Sequence, residues 1–261
     1  MLFIISTPIG NLADITYRAV ATLQECDYIL CEDTRHSGPL LTKYSINKPL
    51  YSYHQHNEAS RTDQVLKDLL DGKRVALISD AGTPGISDPG HQIIVACHQA
   101  DIPVVPIPGP SAVIAALSAS PLPTDRFQFI GFLPKSQGAL KQALQDALAY
   151  PGTTACYESP FRLSKTLKAL CALTESAPVA VCRELTKVYE EIRWGSAKEV
   201  REHYEQHPPK GEIVLLIGHF ELKLEHAEED MSHQEALRIL AKRLNMSRNE
   251  LYALINKKSS C

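Results

Sequence analysis

The segment Val75-Ala76-Leu77-Ile78-Ser79-Asp80-Ala81-Gly82-Thr83-Pro84-Gly85 joins a short apolar run to a turn rich in glycine and proline. The apolar run is typical of a buried β-strand, and the turn begins where that strand ends. Glycine lets the backbone approach a ligand without a Cβ in the way, and proline fixes the turn in advance. Open α/β sheets bind ligands beyond the carboxyl ends of their strands, so the segment predicts an α/β fold with a ligand-binding loop.

Two other loops repeat this arrangement. Thr7-Pro8-Ile9-Gly10-Asn11-Leu12 follows an apolar run over residues 2–6, and Pro108-Gly109-Pro110-Ser111-Ala112 follows one over residues 104–107. The carboxyl ends of parallel strands share one edge of a sheet. We therefore expect the three loops to lie along one rim, to line one pocket and to bind a small polar cofactor through backbone N–H and C=O groups.

Strand and helix patterns alternate through the first 110 residues. This alternation predicts a mostly parallel sheet with helices on both faces. We expect Asp33 or Thr34 to cap one helix, Ser60 to cap the next and Gly72 to close it. The expected strands cover residues 2–6, 28–31, 74–79 and 102–107, and the expected helices cover 17–25, 63–70 and 92–99.

A second α/β region begins after Pro110. Two of its strand patterns follow one another with little helix between them, so we expect a mixed sheet. The expected helices cover 111–118, 136–148 and 161–171, and the expected strands cover 127–132, 153–158, 179–184, 191–194 and 213–217. The charged stretch 221–232 indicates a linker, and the pattern after it predicts two short helices, the second capped by Ser247.

These patterns predict three parts of the chain. An α/β domain with the cofactor loops covers residues 1–110, a second α/β domain covers 111–222, and a small helical extension covers 231–261.

The composition limits the location and partners of the protein. The chain has 261 residues, a formal charge of −3 and 44% hydrophobic residues, so we expect a large core and no overall basic field that attracts nucleic acid. No apolar run reaches the ~18 residues of a membrane span, so we expect a cytoplasmic protein without a membrane partner. The seven cysteines form no C-x-x-C pair, and most stand among apolar residues, which indicates buried thiols.

Several common catalytic motifs are absent from the sequence. It contains no G-x-G-x-x-G, no G-x-x-x-x-G-K-[ST], no G-x-S-x-G and no H-E-x-x-H. Dinucleotide, P-loop, serine-hydrolase and zinc-protease chemistry are therefore unsupported. His54 and His56 would share one face of a strand, but no further ligands stand at metal spacing, so we expect no metal site.

The three loops and their neighbours resemble the rRNA methyltransferases of the tetrapyrrole methylase superfamily. The likeness runs in order from residue 2 to about residue 218. Besides the three loops, it is carried by Cys31-Glu32-Asp33-Thr34-Arg35, His56-Asn57-Glu58, Asp88-Pro89-Gly90, Leu122-Pro123-Thr124-Asp125-Arg126-Phe127, Gly131-Phe132-Leu133-Pro134, Tyr157-Glu158-Ser159-Pro160-Phe161-Arg162, Arg183-Glu184-Leu185-Thr186-Lys187 and Lys210-Gly211-Glu212. The helical tail resembles the family's extension less specifically.

The resemblance implies a two-domain α/β methyltransferase with S-adenosylmethionine in the cleft between the domains. It also implies 2′-O-methylation of a cytidine ribose in the decoding region of 16S rRNA, and a homodimer. The cofactor contacts that it implies are Pro8, Gly10, Asp80, Gly82, Thr83, Pro84, Pro108, Gly109, Ser111, Ala112, Tyr157, Arg183, Leu185 and Gly211.

A general base would help to remove the proton of a ribose hydroxyl. The sequence offers four candidates and does not choose among them: Glu32, His56, Glu58 and Asp80. Candidates for an RNA-facing basic patch are Arg35, Arg126, Lys135, Arg162 and Lys165. A buried Glu158 would need a partner, either Arg162 or Arg183.

Two other functions stay open at this point. A methylase of a small molecule, such as a tetrapyrrole precursor, would use the same cofactor loops. An RNA-binding protein that only senses the cofactor would form no product. The Asp33-Thr34-Arg35 and His56-Asn57-Glu58 segments and the C-terminal extension favour the rRNA enzyme, acting on either naked rRNA or an assembled small subunit.

Overall fold

The computed structural model describes residues 1–222 and, beyond them, only Leu237, Ala241, Met246, Ser247 and 249–251. Met1–Glu221 form one compact unit and Leu222–Cys261 a second. The expected linker over 221–232 and most of the expected extension over 231–261 lie outside the described residues. Within the second unit, Ser247 and Glu250 make the hydrogen bonds of the expected capping box, at 2.8 and 3.3 Å.

The first unit begins with a fully parallel five-stranded sheet in the order β3-β2-β4-β1-β5. Its strands are β1 (Leu2–Ile5), β2 (Tyr28–Cys31), β3 (Leu50–Ser52), β4 (Val75–Leu77) and β5 (Val104–Ile107). Its helices are α1 (Tyr17–Glu25), α2 (Thr34–Lys43), α3 (Glu58–Leu70) and α4 (His91–Gln99), with a short 3-10 helix at Leu12–Asp14. The predicted α/β alternation and parallel sheet are confirmed.

Both faces of this sheet are buried, as predicted. Alternate residues of a strand point to opposite faces. Leu2 and Ile4 pack with α3 and α4 through Leu69 and Ile93. Phe3 and its neighbours on the other face pack with α1 and α2. This double burial explains why the strands are continuous apolar runs.

The helix boundaries agree with the predicted caps in two of three cases. The Asp33 carboxylate accepts a hydrogen bond from Arg35 N at 2.8 Å at the start of α2, and Gly72 closes α3 with a φ of +88°. The prediction for Ser60 is wrong, because α3 already begins at Glu58. Asn57 closes the preceding turn by accepting from His54 N at 2.8 Å, which places the helix start earlier.

The second sheet is mixed, as predicted, with the order β6-β7-β10-β8-β9. Only β6 and β7 pair in parallel, and the other pairs are antiparallel. The strands are β6 (Phe127–Phe132), β7 (Thr153–Glu158), β8 (Pro178–Arg183), β9 (Glu191–Ser196) and β10 (Ile213–Ile217). The helices are α5 (Ala112–Ala119), α6 (Gln137–Ala149), α7 (Pro160–Cys171) and α8 (Ala197–Gln206).

Helix α8 was not predicted from the sequence. It is strongly polar, and only Ala197, Val200 and Tyr204 are buried. Ser196 and Glu199 form a capping box at its start, and this S-x-x-E pattern was the available signal.

Helix α5 packs on one face of the second sheet. Its buried Val113, Ala116 and Leu117 contact Ala180 and Leu216. The third loop therefore leads directly from the first sheet into the packing of the second.

The cysteine prediction is confirmed for the described residues. Cys26, Cys31, Cys97, Cys156, Cys171 and Cys182 are buried free thiols. None of the helices in the described part of the chain combines the length and the apolar character that a membrane span needs.

Candidate active site

The three predicted loops converge. Thr7 and Gly82 exchange backbone hydrogen bonds of 2.9 and 3.1 Å, which joins the first loop to the second. The third loop packs on the end of β1, where a Cβ on Gly109 would stand 2.9 Å from Ser6 Cβ. The predicted common rim is therefore present.

The first loop also contacts the loop that follows β8. A Cβ on Gly10 would stand 2.5 Å from Lys187 Cγ and 3.0 Å from the Leu185 carbonyl oxygen. Asn11 N donates to Thr186 Oγ1 at 3.0 Å. Thr186 has a left-handed φ of +67°, a conformation that costs free energy in a non-glycine residue. These contacts bring the ends of the two sheets together.

A cavity of about 540 Å³ lies at this junction. That volume is within the range of small-molecule and cofactor sites. One side consists of residues 81–83 and 86–88 with the start of α5, and the other consists of the ends of β6, β7 and β8 with residues 211–214. Ile213 pairs with Glu158 on one neighbouring strand and with Arg183 on the other, which fixes this second side.

The structure divides the predicted cofactor residues into two groups. Those that line the cavity are Gly82, Thr83, Ser111, Ala112, Tyr157, Leu185 and Gly211. Those outside its lining are Pro8, Gly10, Asp80, Pro84, Pro108, Gly109 and Arg183.

Several residues of the second group hold the loops in place. Gly10 and Gly109 permit the close contacts described above. Arg183 forms an ion pair of 2.9 Å with Glu191. The Asp80 carboxylate accepts a hydrogen bond of 3.2 Å from Asp33 N, which joins the ends of β4 and β2.

None of the four predicted base candidates lines the cavity. His56 is exposed in the turn before α3, and Glu32 is half-buried at the end of β2. Glu58 is only 7% exposed. Its Oε1 accepts hydrogen bonds from Gly90 N at 3.0 Å, from Gln92 N at 3.3 Å and from the Tyr53 hydroxyl at 3.3 Å. Glu58 therefore anchors the start of α4.

This anchor supports a tight turn over residues 85–90. Gly85 N donates to the Pro89 carbonyl oxygen at 3.1 Å and closes the turn. Ser87 has a φ of +60°, and Gly90 has a φ of +136° with no room for a Cβ against Leu77. The turn places Ser87 and Asp88 in the cavity lining.

Asp88 is a candidate functional residue that sequence reasoning missed. Burial, together with the nearby Glu32 carboxylate, raises its pKa to about 6, although a hydrogen bond from Ser79 opposes the shift. Burial and Asp80 also raise the pKa of Glu32. The available signal was an acidic residue in the Pro/Gly turn that continues the second loop.

The carboxylate of Glu158 is buried and fully engaged. Its Oε1 accepts from Ser159 N at 2.7 Å and lies 3.5 Å from Arg162 Nε, and its other oxygen accepts from Thr166. Of the two expected partners, Arg162 is therefore the one that pairs with Glu158, while Arg183 pairs with Glu191.

The predicted basic patch divides into several environments. Arg162 donates to the carbonyl oxygens of Leu133 and Pro134 at 3.1 and 2.7 Å, so it joins the β6–α6 loop to α7. Lys135 and Lys165 are exposed on these two joined segments. Arg35 is 89% exposed, but its guanidinium is paired with Asp33 at 2.7 Å.

Arg126 lies away from the cavity. It precedes β6, whose other end supplies Phe132 to the cavity lining. Six strand residues at about 3.3 Å each separate the two ends. Arg126 therefore lies at the end of β6 that is remote from the cavity.

Apolar side chains at the mouth of the cavity were also missed. Ile86, Ile114 and Phe132 line it and are 51%, 53% and 63% exposed. Exposed apolar residues grouped at one site are typical of a binding surface. Their signal in the sequence was weak, because apolar residues in strands and helices usually indicate core.

Replacing Glu58 by glutamine is expected to cost about 1 kcal/mol of unfolding free energy, because hydrogen bonds to a charged acceptor become neutral ones. Urea denaturation measures this change. Glu25→Gln is the control, since that side chain is 62% exposed and its ion pair contributes little. If Glu58→Gln instead lowered kcat by ~10²-fold or more without loss of stability, the anchoring role would be wrong.

Comparison with known proteins places this arrangement in a family. The family model described as Tetrapyrrole (Corrin/Porphyrin) Methylases matches residues 1–201. A solved cobalt precorrin-4 methyltransferase superposes with a TM-score of 0.61 at 19% identity, covering 82% of this chain and 93% of its own. A solved diphthine synthase gives a TM-score of 0.66 at 13% identity, covering 85% and 90%. The chain belongs to the tetrapyrrole methylase family.

Closer relatives carry a more specific name. A protein of Synechocystis sp. named ribosomal RNA small subunit methyltransferase I is 42% identical to this chain, and the alignment covers 97% of this chain and 96% of the relative. The relative of the same name in Escherichia coli O157:H7 is 46% identical over 92% and 83%. The family resemblance found in the motifs is thereby confirmed.

Proposed function

We propose that this chain is an S-adenosylmethionine-dependent methyltransferase that modifies the 2′-oxygen of a cytidine ribose in the decoding region of 16S rRNA. The single observation that supports it most is its similarity along nearly the whole chain to relatives named for small-subunit rRNA methylation. The reaction would take place in the cytoplasm, where ribosomal subunits are found.

The residues of the cavity fit S-adenosylmethionine. Gly82 and Gly211 line the cavity and carry no side chains, so backbone forms part of both sides of the cavity. Ile9, Ile114 and Val214 supply apolar surface. Three acidic residues, Asp88, Glu158 and Glu212, also belong to the lining, although the carboxylates of Glu158 and Glu212 are paired with Arg162 and Lys187. When bound, the cofactor supplies an electrophilic methyl group on a sulfonium.

We assign the binding of the cofactor to the lining residues among the predicted set, with Gly82, Thr83 and Ser111 on one side and Tyr157, Leu185 and Gly211 on the other. Holding the ribose oxygen in line with the methyl group is the main task of the protein. Positioning of this kind contributes roughly 7–11 kcal/mol to catalysis.

Exposed apolar residues support the homodimer as part of the proposal. Val188, Tyr189 and Trp194 of the β8–β9 region are 92%, 73% and 62% exposed. Apolar groups of this kind are typical of protein interfaces. Light scattering coupled to size-exclusion chromatography tests the dimer, and a single-chain mass at micromolar concentration would reject it.

The proposed activity is tested with methyl-labelled S-adenosylmethionine and three acceptors: small subunits, naked 16S rRNA and uroporphyrinogen. Small subunits and rRNA should be purified from cells that lack this enzyme activity. We expect label in rRNA and a 2′-O-methylcytidine in the nucleoside digest by mass spectrometry. Label in uroporphyrinogen alone would favour the small-molecule methylase, and binding without product would favour the cofactor sensor.

Binding of rRNA is expected to weaken steeply with salt, because contacts to phosphates release counterions. Lys135→Ala and Lys165→Ala should each reduce the log–log salt slope by roughly 0.7–0.9, as measured by filter binding between low and moderate salt. Arg126→Ala is the matched control at the opposite end of β6 and should leave the slope unchanged. An equal effect of all three substitutions would contradict the assigned surface.

A further inference from the structure

We propose that Asp88 is the catalytic base that accepts the proton of the ribose 2′-hydroxyl. This inference rests on the proposed function and deepens it. It depends on the position of Asp88 in the cavity, on the turn that holds it there and on the engagement of the other carboxylates in the lining.

Asp88 differs from the other two carboxylates that line the cavity. Glu158 is held by Arg162, Thr166 and its own following amide, as described above. Glu212 Oε2 lies 3.0 Å from Lys187 Nζ, and its side chain is 76% exposed. Among the described residues, no lysine, arginine or histidine forms an ion pair with Asp88.

The turn around Asp88 restricts its position. The Gly85–Pro89 hydrogen bond closes the turn, and Glu58 binds Gly90 N at its base. The left-handed conformation of Ser87, with a φ of +60°, is the kind of local strain that clusters at functional sites. A base held in this way needs little reorganisation when substrate binds.

Charged and titratable groups from three strand ends face Asp88. Glu32 follows β2, Asp80 follows β4, and Tyr157 lies at the end of β7. Burial, followed by the two carboxylates, raises the pKa of Asp88 to about 6, and the Ser79 hydroxyl opposes the shift. General bases are most efficient when their pKa lies close to the operating pH.

In the proposed methyl transfer, the bonds, electrons and proton are all accounted for. A lone pair of the 2′-oxygen forms the new oxygen–carbon bond, and the electron pair of the broken carbon–sulfur bond returns to sulfur. The hydroxyl proton passes to a carboxylate oxygen of Asp88, which later releases it to water.

The test compares Asp88→Asn with the wild-type enzyme on small subunits at saturating cofactor. We expect kcat to fall by ~10²–10⁴-fold, while calorimetry shows unchanged affinity for S-adenosylhomocysteine. Asp125→Asn is the matched control, because that residue is exposed in the loop before β6. Thermal denaturation of all variants verifies that they fold.

A pH measurement separates a base from a merely structural residue. In the wild type, the rate should rise through an acidic limb and reach a plateau. Removing the neighbouring charge with Glu32→Gln should move this limb to lower pH, because Glu32 raises the pKa of Asp88. An unchanged limb in Glu32→Gln, or wild-type kcat in Asp88→Asn, would overturn the proposal.

A titration of the unloaded protein gives a readout that does not depend on activity. With ¹³C-labelled aspartate, the carboxyl resonance that is lost in Asp88→Asn should titrate near pH 6 in the wild type and lower in Glu32→Gln. If the wild-type enzyme did not methylate small-subunit rRNA, both the proposed function and the proposed role of Asp88 would be rejected. Active wild type with an equally active Asp88→Asn would reject only the base.

Discussion

Gly211→Ala is expected to lower the affinity for S-adenosylhomocysteine by at least ~100-fold and to destabilise the folded protein. Gly211 lines the cavity and has a φ of +86°, and an added Cβ would stand 2.2 Å from Glu184 Cδ. Glu184 Oε1 accepts from Glu212 N at 2.9 Å and from Lys187 Nζ at 2.9 Å. An alanine must therefore adopt a strained conformation and displace a bound carboxylate.

The strained backbone and the displaced Glu184 carboxylate together cost about 3 kcal/mol or more of unfolding free energy. This folding cost is present in the free and the bound protein alike, so it does not set the affinity. Displacement of the cavity wall should itself lower the affinity by at least ~100-fold, which is about 3 kcal/mol of binding free energy. Calorimetry and urea denaturation measure the two effects separately.

Gly138→Ala provides the matched control for this substitution. Gly138 lies in α6, and a Cβ there would meet nothing within 4 Å. Alanine is a better helix former than glycine, so this variant should be more stable by roughly 0.5–1 kcal/mol. Similar affinity in Gly211→Ala and Gly138→Ala would show that residues 211–214 do not form a cofactor-binding wall.

Local patterns in the sequence were sufficient to predict both sheets apart from the three-residue edge strand β3. Continuous apolar strands such as Leu2–Ile5, with Gly/Pro turns after three of them, indicated a parallel sheet, and the structure has it. The convergence of the loops also followed from this pattern, since parallel strands share an edge. Helix α8 was not predicted because only three of its residues are buried and most of the others are polar, so its apolar face is too narrow to give a clear helical pattern.

Long-range contacts determine which residues of a motif reach the cavity, and the sequence does not reveal them. Glu58 precedes Gly90 by 32 residues, yet its carboxylate binds the amide of Gly90. Gly10 belongs to a predicted cofactor loop, yet it packs on residues 185–187. Residues of one motif can therefore either line the cavity or hold its loops in place, and the packing of the folded chain determines which of the two they do.

Asp88→Asn is expected to stabilise the folded protein at neutral pH. The pKa of Asp88 is raised from 3.8 to about 6 in the folded protein, so the folded state binds more protons than the unfolded state between these values. Stability therefore falls as the pH rises through this window. Above pH ~6 the cost of holding an ionised, half-buried carboxylate is fully present, and asparagine removes it.

The size of the effect follows from the shift. Two pKa units correspond to about 3 kcal/mol, and partial solvent exposure reduces this to about 1–2 kcal/mol. Urea denaturation of wild type and variant at several pH values measures the difference, which should be small near pH ~4 and largest above pH ~6.

Asp33→Asn should behave in the opposite way. A hydrogen bond from Arg35 lowers the pKa of Asp33 to about 2, so its ionised form favours the folded state, and this contribution is lost only as the pH falls toward that value. Asp88, in contrast, lowers the stability of the folded protein at the pH where it is ionised. Groups that serve a function often carry such a cost in stability. A gain in stability from Asp88→Asn that did not vary with pH would contradict this explanation, because packing and not ionisation would then be its cause.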